Sequence, residues 1–148
     1  MAVSFSWLDG PQDIVHYKAG HTDNFTEGDL VILTDGDHVS IATDDNAVWG
    51  VALTDYTAVG SGGDCPVSII NPTQRWVAYA DATTVNATHV GGAFDVNVAT
   101  GAFTVDLGGT TDKTFIITQL DPRDGAHTGS GGRVIGHFNA NSCIGHEV

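Results

Sequence analysis

Few residues in this 148-residue chain have the types and spacing that chemistry needs. His137 and His146 fall on two neighbouring strand-like runs, where a pair facing across a ladder could share a zinc-type ion. The remaining histidines are dispersed, and dispersed strand histidines ordinarily sit half-exposed without a metal. The clusters Asp35-Gly36-Asp37 and Asp44-Asp45-Asn46 offer oxygen ligands. Calcium, however, wants about six to eight oxygens in one cage, and neither cluster continues into an EF-hand loop with its closing Glu. Asp is favoured at turns for backbone reasons alone, so solvated turn carboxylates are expected here. Gly60-Ser61-Gly62 and Gly129-Ser130-Gly131 lack the spacing and the following helix of a nucleophile elbow. There is no Walker loop, no GxGxxG after a strand and no HExxH, and no scaffold places a pair of carboxylates for hydrolysis. Neither enzyme activity, nor a metal, nor a cofactor is expected.

Other residues invite chemistry less directly. Cys65 and Cys143 stand far apart with no CxxC arrangement, which fits two reduced, semi-buried thiols and leaves open whether they pair. Asn24-Phe25-Thr26 and Asn86-Ala87-Thr88 match the glycosylation sequon. The N-terminus has neither a charged n-region nor an apolar h-region, so a secretory leader is not expected and the sequons read as accidents. Trp7, Trp49 and Trp76 with Tyr17, Tyr56 and Tyr79 could build a sugar-binding platform. Trp49 and Trp76 lie inside strand-like runs, where packing is the ordinary role of an indole.

Charge narrows the partners. Five basic against eighteen acidic residues give a formal net charge of -13, which disfavours a grip on nucleic acid phosphates or an anionic membrane. No apolar run approaches the ~18 residues of a spanning helix. Glu appears only at Glu27 and Glu147, so the acidity is nearly all Asp, a poor helix former that favours turns. Nineteen glycines point the same way, toward many loops and little helix.

Positioning these residues therefore falls to strands. Leu30-Val31-Ile32-Leu33-Thr34 and Asp37 to Ala42 flank Asp35-Gly36, a dipeptide that accepts positive φ, and together they predict a β-hairpin. A second hairpin is predicted from residues 93–98 and 102–107. Phe94, Val96 and Val98 share one face there, as do Phe103, Val105 and Leu107 in the return strand. Further strands are expected over residues 14–19, 47–53, 67–71, 75–80, 114–120, 133–138 and 142–147. The one place for a helical turn is residues 81–90, with Asp81 as N-cap. Two Gly/Ser-rich segments, 59–64 and 121–132, read as surface loops. The expected fold is all-β, a small β-barrel or sandwich of about ten short strands at residues 27–148, preceded by an irregular arm over residues 1–26. That arm carries Phe5, Trp7, Leu8, Ile14, Tyr17 and Phe25, so it must fold back on its own barrel or pack on a neighbour.

A resemblance accompanies these readings. Glu27-Gly28-Asp29-Leu30-Val31-Ile32, Ala47-Val48-Trp49-Gly50-Val51-Ala52-Leu53, Trp76-Val77-Ala78-Tyr79-Ala80, Arg133-Val134-Ile135-Gly136-His137-Phe138 and the closing Ser142-Cys143-Ile144-Gly145-His146-Glu147-Val148 resemble the small β-barrel capsid decoration, or cement, proteins of tailed viruses. The resemblance implies a protein made in the host cytoplasm and carried on the outer capsid surface of the virion, a homotrimer that stabilises the shell by bridging major capsid protein subunits. On that reading Phe5, Trp7 and Leu8 make shell or neighbour contacts together with Tyr17 and Phe25, and Trp49 and Trp76 lie in the barrel or at a trimer axis. The 121–132 loop exceeds the family's bare pattern. The alternative expectation is a carbohydrate- or receptor-binding β-module on a virion fibre or cell surface.

Overall fold

A computed structural model describes residues 4–19, 24–34, 38–42, 48–57, 63–81, 85–99, 101–123 and 132–143. Eleven strands occur among them: β1 (Phe5–Asp9), β2 (Asp13–Ala19), β3 (Leu30–Leu33), β4 (His38–Ile41), β5 (Gly50–Ala52), β6 (Asp64–Ile69), β7 (Arg75–Tyr79), β8 (Ala93–Asn97), β9 (Thr104–Asp106), β10 (Phe115–Leu120) and β11 (Arg133–Phe138). They form two units. Strands β2-β4-β3-β5-β6 close into a barrel, and β1-β7-β11-β10-β8-β9 form a six-stranded sheet. This sheet also curls back on itself, because a parallel bridge joins Ala80, just beyond β7, to Val105 of β9. The all-β barrel architecture read from the sequence is therefore present.

Two apolar clusters explain the strand patterns. Ala19, Phe25, Val31, Val39, Ala52, Cys65 and Val67 fill the barrel. Leu30, Val48, Val51 and Ile70 leave the barrel's outer wall to meet Phe5, Trp76, Phe115, Ile117, Val134 and Phe138 of the larger sheet. Strand β3 is thus covered on both faces, which is why its sequence is a continuous apolar run and not an alternation. In the β8–β9 hairpin, Phe94, Val96, Phe103, Val105 and Leu107 all turn into the larger core, whereas Val98, beyond the end of β8, is exposed. At the centre of that core Phe5, Phe115 and Phe138 pack with ring centroids 5.1 to 5.6 Å apart, in tilted and edge-on arrangements. Gly136 makes this possible. A Cβ there would run into the Ile116 carbonyl and the Phe115 ring.

Several local expectations resolve differently. The N-terminal segment takes the first of its two courses and folds back: β1 pairs with β7, and β2 pairs with β6 and β4. A bulge between Trp7 and Asp9, with Gly10 at φ 94, hides the alternation that would have announced β1. The short helical turn is a 3-10 turn at Ala87–His89 capped by Asn86, not by Asp81; the Asn86 side chain accepts from Thr88 N while His89 accepts from Asn86 N. Asp81 instead donates its N–H to Val105 O. Ser142 sits in a second 3-10 turn, and Cys143 makes a parallel bridge to Val48. The hairpin turn at residues 35–37, the Asp44-Asp45-Asn46 cluster and residues 144–148 lie outside the described residues.

Candidate functional site

The aromatic residues that the sequence marks for contact separate into enclosed and accessible ones. Phe5 is 1% exposed and belongs to the core, Phe25 is buried inside the barrel beside Tyr56, and Trp76 is enclosed against Phe138. None of these three can reach a shell or a neighbour, because each faces inward on a strand or bridge whose apolar side is already covered. Trp7 differs from Phe5, two residues before it. It is 44% exposed, and its indole N–H donates to Gly10 O at 3.1 Å. Leu8 is half-buried. Ile14 is 49% exposed on β2, so the corner joining β1 to β2 carries an exposed apolar residue on each arm. Among the described residues strand β1 has one ladder partner, β7, and stands at the edge of its sheet. Asp9 and Arg75 form an exposed ion pair across that ladder, which holds the Asp9 carboxyl below its ordinary range.

Trp49 and Tyr17 meet on the barrel, where the half-buried indole N–H donates to the tyrosine hydroxyl at 2.9 Å. With Trp76 enclosed, the three tryptophans do not assemble into one stacking platform.

Three carboxylates that no motif announces organise the loops. Asp95 on β8 accepts from the backbone N–H groups of Thr111, Asp112 and Lys113 at 3.2, 2.7 and 2.8 Å. Burial pushes this carboxyl upward, but those donors, Lys113 and Asp112 foremost, hold it below the ordinary 3.8. Asp121, buried just after β10, accepts from Nε and Nη2 of Arg123 at 2.9 and 3.0 Å, with Arg133 Nε at 3.4 Å; residues 124–131 of the expected 121–132 loop lie outside the described residues. Arg123 outweighs burial, so this carboxyl also titrates low. Asp29, wholly enclosed, accepts from Thr26 N and Gly101 N at 2.9 Å each. A local sign exists for two of them: Asp121 precedes Arg123 by two residues, and Asp29 follows Gly28, whose φ of 92 turns the chain into β3.

The candidates for catalysis and metal binding stay dispersed. His16 pairs with Asp64 at 3.0 Å on the exposed barrel face, and His137 Nδ1 lies 3.1 Å from Phe138 O. His146, its suggested partner, is outside the described residues, as are the central serines of both Gly/Ser segments. Among the described residues no group of three or more His, Cys, Asp or Glu is placed to hold a metal ion, and no helix is long and apolar enough to cross a membrane. Cys65 and Cys143 are free and buried in different clusters; burial pushes their thiols to about 11 and about 12.

No protein family and no curated protein matches the sequence. Among solved structures, the chain is similar to the crystal structure of the head fiber gp8.5 N base in bacteriophage phi29. The TM-score is 0.54 at 17% identity, over 92% of this chain and 100% of that one. The two share a fold.

Proposed function

We propose that this protein is a structural component of a phage head: a capsid decoration protein that sits on the outer surface of the assembled shell as a homotrimer and bridges major capsid protein subunits. The observation that carries the reading is the fold likeness to a phage head fiber base over nearly the whole chain. Charge supports it, since a net -13 chain is repelled by packaged DNA and tolerated outside a shell. So do the exposed Trp7 and Ile14 on either side of the β1–β2 connection, apolar side chains of the kind that exclude water from a contact. The mechanism is mass action without covalent chemistry. A protein that binds only the expanded lattice shifts the equilibrium away from disruption, by about 2.7 kcal/mol when free protein stands at 100 times Kd.

Co-sedimentation with expanded and with immature heads tests this. Binding to expanded heads alone, weakened by Trp7→Ala without a change in Tm, is the expected result; binding to neither overturns it. A second reading is favoured by the same likeness to a head fiber base: the chain is the base from which a fibre projects, with the receptor- or carbohydrate-binding part elsewhere or on its loops. A glycan-array signal lost in Trp49→Ala but not in Trp7→Ala favours that reading over the cement role.

A further inference from the structure

The connection between β1 and β2 is tied to the connection between β6 and β7 by a buried side chain. Gln74 is wholly enclosed, although glutamine is mostly a surface residue. Its Nε2 donates to Pro11 O at 2.9 Å and to Ile69 O at 3.2 Å, and its Oε1 accepts from Asn71 N at 3.2 Å. Two carbonyl oxygens on one side and an N–H on the other fix the way this amide faces. Pro11 lies just ahead of β2, and Ile69 ends β6, where it pairs with Asp13. The amide nitrogen thus joins the start of one barrel strand to the end of its neighbour. Gly10 completes the seat. At φ 94 it lies so close to the β6–β7 connection that a Cβ would stand 2.6 Å from Thr73 O and 2.8 Å from Gln74 Cα. Gly10 O accepts the Trp7 indole N–H at 3.1 Å. On the other arm, Gln12 donates to Oγ of buried Ser68 at 3.4 Å, and Ser68 is the ladder partner of Ile14.

We propose that Gln74 is a positioning residue for the capsid contact: it seats the β1–β2 connection so that Trp7 and Ile14 stand in a fixed arrangement before a partner arrives. This role rests on the reading of Trp7 and Ile14 as shell-contacting side chains. What Gln74 supplies is preorganisation. A contact side chain that is already ordered loses little further freedom on binding, whereas one carried on a loose connection must be ordered in the complex, which weakens it. An apolar residue of similar size would fill the same space, but it would take the amide away from the Pro11 and Ile69 carbonyls and from the Asn71 N–H. The position therefore calls for hydrogen-bonding groups and not for volume alone.

Nitrogen-15 relaxation of the full chain and co-sedimentation with expanded heads test the role together. In the wild type, the Trp7 indole N–H and the Gly10 amide should be as ordered as the Val134 and Phe138 amides of β11. In Gln74→Leu both should become mobile while those β11 amides stay as they were. Binding to heads should weaken about tenfold, the scale of ordering one or two side chains anew. Trp7 and Gly10 mobile in the wild type, or unchanged in the variant, overturn the proposal. Head binding that weakens in Trp7→Ala but not in Gln74→Leu also overturns it, and leaves the shell contact standing. A wild-type chain that binds no heads instead overturns the shell contact, and this role with it, even where relaxation finds the corner ordered. Should Gln74→Leu not fold, the wild type decides: Gln74 side-chain amide protons that exchange as slowly as the β11 amides support the seat, and protons that exchange like those of a free amide overturn it.

Discussion

Phe5 and Trp7 are two residues apart on one strand, yet they do different work. Phe5 contacts the rings of Phe115 and Phe138, so Phe5→Ala is expected to cost about 3–5 kcal/mol, whereas Trp7→Ala should move stability by under about 1 kcal/mol and act on shell binding. Thermal unfolding of both variants beside a head-binding assay checks the split. Asp95 gives a second prediction at this scale. Truncation to Ala leaves three backbone N–H groups without their acceptor, an expected loss of about 1–3 kcal/mol at neutral pH. Because the folded carboxyl titrates below 3.8, its contribution is complete above that value and is lost as pH falls through the folded midpoint. The stability gap between wild type and Asp95→Ala should thus stay constant from pH 7 to about 4 and close only in stronger acid. Denaturant unfolding at a series of pH values measures it, and a gap that closes already at pH 6 would sink the assignment.

Among the elements, β1 and β11 set the tolerances. Removing residues 1–10 would look like a clean way to strip a contact arm, but it takes β1 and Phe5 out of the larger sheet. The deletion should lower the melting temperature and shell binding together, and only a point change such as Trp7→Ala separates the two. Gly136 on β11 predicts the opposite kind of failure, overpacking. A methyl group there meets the Ile116 backbone and the Phe115 ring, so Gly136→Ala should destabilise by about 1–3 kcal/mol, read as a drop in the urea midpoint with the slope unchanged. The Asp121 carboxylate binds both Arg123 and Arg133, and the Asp121 N–H donates to Arg133 O at 3.1 Å. Changes between those arginines are accordingly expected to leave the barrel intact.

For the whole molecule, charge is the lever. A formal -13 on a chain of 15.4 kDa repels itself, and copies of it repel one another. Added salt should raise both the melting temperature and the share of the proposed trimer, as screening shortens the reach of that field to about 8 Å at 0.15 M. Sedimentation equilibrium across a salt series reads the second effect directly. A mass equal to one chain at every salt and protein concentration excludes the homotrimer while leaving the fold untouched.

What the sequence determined by itself was local. The continuous apolar run Leu30 to Leu33, the alternating β8–β9 hairpin and the wealth of Asp and Gly made an all-β fold legible, because strand period and turn chemistry act over a few residues. Tertiary structure alone decided which side of each strand had something to cover it. It buried Phe5, Phe25 and Trp76, left Trp7 and Ile14 in the open, and brought Asp29 to Gly101, 72 residues on. Neither exposure nor a contact across such a separation is encoded in spacing; both arise when two sheets close on a shared core and desolvate whatever lies between them.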